Sequence, residues 1–237
     1  MDNALILLLE SSCNECSVAV AGRDGIVALR HTQEPRAHAS KLALFIQEVL
    51  QELGIEASEL CAVAVSSGPG SYTGLRVGVS TAKAIAWASK IPLIAVETTD
   101  ILAQMGLDAV EGRENGRLLV VPMIDARRME VYTALYDSDA ARISEISPVI
   151  LDGDSFKEEF ASYDTLVFVG DGAEKFKPVL SEDKLAKSVF VNACPSACAM
   201  RKRAFERFDA SRFEDYAYFE PFYLKDFVAG VSKKKLF

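Results

Sequence analysis

The 237-residue chain is half hydrophobic and a quarter charged, and it carries a formal net charge of −8. This composition is that of a globular protein with a substantial core, and it excludes a largely disordered chain. The acidic balance disfavours a protein that grips nucleic acid with its own surface. The start of the chain lacks a basic leader and a long apolar run, so we expect no membrane contact and a cytoplasmic location.

Short apolar runs separated by turns predict the elements of the first half. The predicted strands cover residues 4–10, 16–21, 26–30, 61–65 and 92–96. Helical spacing of apolar residues predicts a helix that ends near residue 53, a second over residues 77–89 and a short third one up to residue 105. Antiparallel strands followed by strands reached through helical crossovers predict a mixed sheet with helices packed on it.

The second half repeats this order of strands and helices after a polar, glycine-containing stretch. We place the division after residue 106, with a ribonuclease H-like lobe over 1–106 and a C-terminal lobe over 107–237. Strands are predicted over residues 117–124, 129–136, 142–150 and 166–170, helices over 155–163 and 198–208, and an aromatic tail over 216–227. Two such units predict a two-lobed, actin-like (ribonuclease H-like) α/β fold, whose terminal helical segment packs back on the first lobe.

The most informative stretch is the glycine-rich run from Ser66 to Gly78, between a predicted strand and a predicted helix. Glycines allow a positive φ and a close backbone approach, and a helix start can hold a phosphate. Acidic and hydroxyl side chains after the first strand would face the same place. The candidate phosphate-binding residues are Glu10, Ser11, Ser12, Gly68, Gly70 and Ser71. The run is neither a Walker loop nor a nucleophile elbow, and tight helix packing explains its glycines at least as well.

Small residues recur along the helix that follows this run. Gly78, Ala82, Ala86 and Ser89 are spaced by three and four residues, which places them in one stripe. Such a stripe lets a second helix approach closely. The sequence leaves open whether that helix belongs to this chain or to a partner.

The chain has few histidines that could bind a metal ion. His31 and His38 are its only histidines, they are seven residues apart, and no His-x-x-x-His pair exists. We therefore predict no metal site, and nothing in the spacing favours either histidine as the base of a hydrolase. Farther along, Asp125 is followed by Arg127 and Arg128, a set that could form an ion pair between the lobes or hold an anion, and the ion pair is favoured.

Several of these residues match a known pattern. The run 67–78, followed by Ala-Lys-Ala at 82–84, resembles the signature of the TsaB family, and residues 125–132 resemble its second signature. Further matches lie at residues 6–20, 170–173 and 221–225. The resemblance spans essentially the whole chain. One departure is Glu10, because the family usually has Asp at the end of the first strand.

The resemblance implies an actin-like fold shared with the catalytic paralogue TsaD, which transfers a threonylcarbamoyl group to adenosine 37 of tRNAs that read codons beginning with A. It implies a non-catalytic partner of TsaD, in an assembly joined by the ATPase TsaE, and an older glycoprotease-like label. ATP and metal are expected on the partners and none on this chain alone, and tRNA is reached only through the complex. The family pairs, and also self-associates, through helices equivalent to residues 41–53 and 75–89. The implied interface residues are Leu42, Phe45, Gly74, Arg76, Gly78, Ala82 and Ala86.

An alternative function remains from the residues themselves. An autonomous ATP-dependent phosphotransferase or ATPase of the actin-like class would use Glu10, Ser11, Ser12 and the loop 68–74. Binding of Mg-ATP by the isolated chain would distinguish this alternative from a partner subunit.

Overall fold

The structure is a computed structural model that describes residues 4–34, 38–112 and 116–224, with the backbone only at residues 38 and 39. Within these residues, five strands form the first sheet, in the order β3-β2-β1-β4-β5. They are β1 (Ile6–Glu10), β2 (Cys16–Ala21), β3 (Ile26–Thr32), β4 (Ala62–Gly68) and β5 (Leu93–Glu97). The first three strands pair antiparallel, whereas β1, β4 and β5 are parallel. The predicted mixed sheet is confirmed.

Helices cover both faces of this sheet. Helices α1 (His38–Leu53) and α2 (Tyr72–Ser89) pack on one face, and α3 (Thr98–Val110) and α6 (Ala197–Asp209) pack on the other. Successive residues of a strand point to opposite faces. Leu7 of β1 therefore lies in the core under α1 and α2, and Leu8 lies in the core under α6. This arrangement explains why β1 is apolar at every position up to Glu10.

The second lobe contains two smaller sheets and its own apolar core. One sheet is parallel, in the order β11-β10-β6, and the other is antiparallel, in the order β7-β8-β9. Their strands are β6 (Leu118–Pro122), β7 (Ile124–Asp125), β8 (Glu130–Thr133), β9 (Ser147–Ile150), β10 (Thr165–Val169) and β11 (Ser188–Val191). Two short helices, α4 (Lys157–Ser162) and α5 (Glu182–Ala186), complete the lobe. Phe168 lies at its centre and contacts four further phenylalanine rings.

Helix α3 joins the two lobes. It continues five residues beyond the predicted end at residue 105, so the predicted division after residue 106 falls inside a helix. Gly106 is required there because a Cβ would lie 2.8 Å from Val120 and 3.0 Å from Val169 of the second lobe. The sequence presents Gly106 as a turn signal, but its role is close packing of α3 on a sheet.

Other element boundaries also differ from the sequence prediction. Helix α2 begins at Tyr72 rather than at residue 77, because the Ser71 hydroxyl caps it by accepting a hydrogen bond from the Gly74 N–H at 3.3 Å. Strand β11 and helix α5 were not predicted. Strand β9 is shorter than expected and contains Pro148, which an edge position in the described sheet accommodates. Helix α6 packs on the first sheet through Met200 and Phe205. In the part of the chain that the structure describes, no helix is long and apolar enough to cross a membrane.

Candidate functional site

Polar residues meet where β1 and β4 end. These strands are parallel neighbours, so their carboxyl ends lie at the same edge of the sheet. The Ser71 N–H donates to the Ser12 carbonyl at 2.7 Å, and the Ser11 hydroxyl donates to the Gly74 carbonyl at 2.9 Å. Glu10, Ser11 and Ser12 are all buried. The structure thus brings the six candidate phosphate-binding residues together, but four of them, Gly68 included, are buried.

The glycines of this loop make room for the chain itself. A Cβ on Gly70 would lie under 3.0 Å from the Ser12 carbonyl, and one on Gly74 would lie as close to the Ser11 carbonyl. A Cβ on Gly78 would meet the Ser11 hydroxyl at a similar distance. Backbone oxygens cannot rotate out of the way as a side chain can. The glycines are therefore required by the packing of the loop and α2 against the end of β1.

The C-terminal segment closes over the same loop. The Phe222 N–H donates to the Ser67 carbonyl at 2.7 Å, and the Phe222 carbonyl occupies the place where a Gly68 side chain would lie. The rings of Tyr223 and Tyr72 are 4.9 Å apart. Sequence reasoning identified an aromatic tail but not its destination. Its remainder from residue 225 onward, and with it the last position of the 221–225 match, lies outside the described residues.

One further contact holds this segment against α2. The Lys83 ammonium donates to the Phe219 carbonyl at 2.9 Å. Lys83 belongs to the Ala-Lys-Ala run that follows the glycine-rich signature, so the pairing joins two stretches that the sequence singled out separately. We call residues 213–224 the closing segment.

Glu10 has an unusual environment for a carboxylate. One of its oxygens accepts the Ser12 N–H at 2.6 Å, whereas the other, like the Ser12 hydroxyl, is buried without a hydrogen-bond partner among the described residues. Burial raises the pKa of the Glu10 carboxyl above its ordinary value, and hydrogen bonds from Ser12 and Ser66 oppose that rise only in part. An orphaned polar atom of this kind keeps a ligand role for Glu10 open as a hypothesis.

The small-residue stripe faces inward. Ala82 and Ala86 are fully buried and belong to the core between α2 and the first sheet, together with Leu42 and Phe45 of α1. The second surface that the stripe approaches is therefore this chain's own sheet. This corrects the prediction that these side chains, with the buried Gly74 and Gly78, contact a partner: they are covered before any partner arrives.

The opposite side of the same helices is exposed and partly apolar. Trp87, the single tryptophan of the chain, is 68% exposed, and Leu44 of α1 is 43% exposed. Three alanines share this exposure, and with these two residues they define what we call the outward helix face: Ala43, Leu44, Ala84, Trp87 and Ala88. Of the predicted interface residues, Arg76 is exposed on this side of α2, with its guanidinium over the Tyr72 ring. The single tryptophan of the chain, flanked by alanines, was the signal that sequence reasoning missed.

The second signature motif lies in the turn between β7 and β8. Asp125 pairs with Lys175 of the same lobe, and its N–H donates to the Asp171 carboxylate at 2.8 Å. Arg127 and Arg128 are exposed, in the left-handed backbone region. The predicted ion pair of Asp125 with the two arginines, bridging the lobes, is therefore wrong: Asp125 pairs instead with Lys175 of its own lobe.

The described residues hold no group of three or more histidine, cysteine or acidic side chains placed to hold a metal ion. His31 lies exposed on β3. The side chain of His38 lies outside the part that the structure describes.

Part of this chain is similar to tRNA-modifying transferases. A family model described as "TsaD: tRNA N6-adenosine threonylcarbamoyltransferase" matches residues 31–214. A tRNA N6-adenosine threonylcarbamoyltransferase of Streptococcus uberis is 38% identical over 112 residues, which are 40% of this chain and 33% of that protein. The alignment with this transferase thus covers less than half of either protein.

Similarity over nearly the full length is found elsewhere. A Pseudomonas aeruginosa structure, described as similar to the peptidase YeaZ, superposes with a TM-score of 0.77 at 23% identity, over 94% of this chain and all of that one, which supports the fold. The tRNA threonylcarbamoyladenosine biosynthesis protein TsaB of Escherichia coli K12 is 30% identical over 227 residues, which are 94% of this chain and 96% of that protein. A second TsaB, from Bacillus subtilis, is 32% identical over 143 residues. This chain belongs to the TsaB family of tRNA threonylcarbamoyladenosine biosynthesis proteins.

Proposed function

We propose that this chain is a non-catalytic subunit in the synthesis of N6-threonylcarbamoyladenosine at position 37 of tRNA, and that it pairs with a TsaD-type transferase. Family membership supports the pathway, because the relatives that match along the chain are named for it. The observation that carries the role of a partner is the outward helix face, on which Trp87 and Leu44 are exposed. Exposed aromatic anchors on a rigid helix pair are typical of protein–protein interfaces.

The packing around the glycine loop supports the absence of catalysis. The closing segment lies on Gly68, and the carbonyls of Ser11 and Ser12 lie against Gly74 and Gly70. A phosphate cradle needs backbone N–H groups that point into open space. Here the Ser71 N–H is already used by Ser12. We therefore assign ATP and metal binding to the partners rather than to this chain.

The rest of the assembly follows from the same proposal. A TsaE-type ATPase joins the pair, and tRNA is contacted through the complex, in agreement with the net charge of −8 on this chain. The outward helix face also serves self-association, in competition with the transferase. The pathway modifies tRNA, so we place the protein in the cytoplasm, away from membranes.

Reconstitution tests the whole proposal. The modified nucleoside is measured in tRNA incubated with ATP, with the activated threonylcarbamoyl donor of the transferase, with the TsaD-type and TsaE-type proteins, and with or without this chain. We expect modification only when this chain is present. Modification at an unchanged rate without it would contradict the proposal, and so would micromolar binding and hydrolysis of Mg-ATP by the isolated chain, which would favour the phosphotransferase alternative.

Point variants test the interface. Truncating a central aromatic anchor costs about 2 kcal/mol, so Trp87→Ala should weaken pairing with the transferase roughly 30-fold in a titration. Ala84→Arg should weaken it as well, because a charge would be buried at the contact. Tyr218→Ala is the matched control, since Tyr218 is an aromatic residue exposed to 85% on the closing segment. Equal losses in Trp87→Ala and Tyr218→Ala would place the interface elsewhere.

A further inference from the structure

Four arginines converge on a cavity of about 320 Å³, on the opposite face of the first sheet from α1 and α2. Arg203 and Arg207 come from α6, Arg212 follows that helix, and Arg142 comes from the second lobe between β8 and β9. Arg142 is distant in the sequence from the other three, and none of the four belongs to a motif that the sequence analysis identified. The cavity opens to solvent at the junction of the two lobes.

Two of these arginines are held by carboxylates. Asp100, at the start of α3, contacts Arg207 at 3.1 Å and Arg203 at 3.5 Å. Arg203 also donates to Glu206 at 2.6 Å, and Arg207 pairs with Glu97 at the end of β5. Their guanidinium groups therefore form a fixed and largely neutralised wall.

The other two arginines are left with little compensation. Arg142 approaches Glu97 only at 3.9 Å, and the Arg212 side chain forms no hydrogen bond or ion pair with any residue that the structure describes. Four guanidiniums thus face three carboxylates, on a chain whose net charge is −8. A positive cavity on an acidic protein concentrates small anions locally.

The wall behind the cavity is rigid. The buried Tyr136 hydroxyl donates to Asp100 at 2.6 Å and lies 2.8 Å from the Thr99 hydroxyl. Burial and the neighbouring Glu97 raise the pKa of the Asp100 carboxyl, although Tyr136 and the two arginines oppose this rise. The hydrogen bond from Tyr136 fixes the Asp100 carboxylate, which in turn holds Arg203 and Arg207 in place. Such preorganised positive charge lowers the cost of holding an anion.

We propose that this cavity binds a small phosphate-bearing molecule, whose phosphate is held by Arg142 and Arg212. A guanidinium donates two parallel N–H bonds to an oxyanion, and a tetrahedral phosphate has enough oxygens to accept from two such groups on different sides. The volume lies at the lower end of the range for small-molecule sites, so a phosphate with one small organic group fits. A ligand there would touch both lobes. This proposal is independent of the proposed function.

Calorimetry on the full chain at pH 7 and about 50 mM salt tests the proposal, because screening is weak under these conditions. The probes are inorganic phosphate, AMP and, as a carboxylate control, citrate. We expect phosphate and AMP to bind more tightly than citrate. Tighter binding of AMP than of phosphate identifies a phosphorylated metabolite as the ligand, and equal affinities identify the free ion.

Variants locate the site. Losing a charge-assisted pair of hydrogen bonds should weaken binding at least about tenfold in Arg142→Gln and in Arg212→Gln. Both side chains are partly exposed, so we expect the variants to fold, which circular dichroism checks. Arg128→Gln removes the same charge from an exposed position outside the cavity lining and should change nothing. The proposal is overturned if no phosphate probe binds at millimolar concentration, if citrate binds equally well, or if Arg128→Gln weakens binding as much as the cavity variants.

Discussion

The two sides of helix α2 have similar small residues and opposite roles. Ala82 is fully buried against the first sheet, and Ala84, two residues later, is exposed on the outward helix face. Size alone therefore does not tell which side of a helix meets a partner. The inward side belongs to the core of the monomer, and the outward side, with the exposed Trp87, is the surface that we propose for pairing with another protein.

Placing a charge on each side of α2 tests this difference most directly. Ala82→Arg buries a guanidinium in an apolar core without a carboxylate, so we expect a loss of at least about 4 kcal/mol in the free energy of unfolding, or failure to fold. Ala84→Arg should change it by less than about 0.5 kcal/mol. Urea unfolding monitored by circular dichroism measures both. A stable Ala82→Arg protein would show that the stripe is not core.

The second prediction concerns the close approach of α2 to the end of β1. In Gly74→Ala the new methyl group would collide with the Ser11 carbonyl, which belongs to the backbone and must shift. We expect a loss of about 2–3 kcal/mol in the free energy of unfolding. Gly25→Ala is the matched control, because a Cβ there meets nothing within 4 Å. If both variants unfold at the same urea concentration, the glycine is not needed for packing.

The third prediction concerns the contact between α2 and the closing segment. Lys83→Met removes the donor to the Phe219 carbonyl while keeping the apolar stem of the side chain. We therefore expect the free energy of unfolding to fall by about 1 kcal/mol and proteolysis within residues 213–224 to become faster. Lys157→Met, at an exposed lysine of α4, serves as the control. Unchanged cleavage in Lys83→Met would mean that the segment is held by its aromatic contacts alone.

The smallest expected effect is a pH dependence at Glu10, beneath the inward side of α2. Because the folded-state pKa of Glu10 is raised, its contribution to stability is greatest below its ordinary value of 4.5 and is lost as the pH rises through the raised value. Glu10→Gln does not suffer this loss. The stability of the variant relative to that of the native chain should therefore increase between pH 4 and pH 7, as measured by urea unfolding. A difference in the free energy of unfolding that stays constant with pH would contradict the raised pKa.

Local patterns predicted much of this fold. The strands of the first sheet and the helices ending in residues 53 and 89 follow from apolar periodicity, since each element buries one side or both. The elements that were predicted wrongly lie where tertiary packing overrides or weakens the local signal. Gly106 and Pro148 appear as breakers in the sequence, yet a helix packed closely on Val120 and an edge strand accommodate them. Strand β11 is short and half exposed, so its periodicity is weak.

The sequence by itself determined the family, through the glycine-rich signature and matches along the whole chain, and it determined the two-lobed α/β architecture. Three features were decided only by tertiary structure. These are the inward orientation of the Ala82 stripe, the closing segment over Gly68, and the meeting of Arg142 with Arg207 and Arg212 around one cavity. Each depends on contacts between residues that are distant in the chain, and such contacts leave no local periodicity to read.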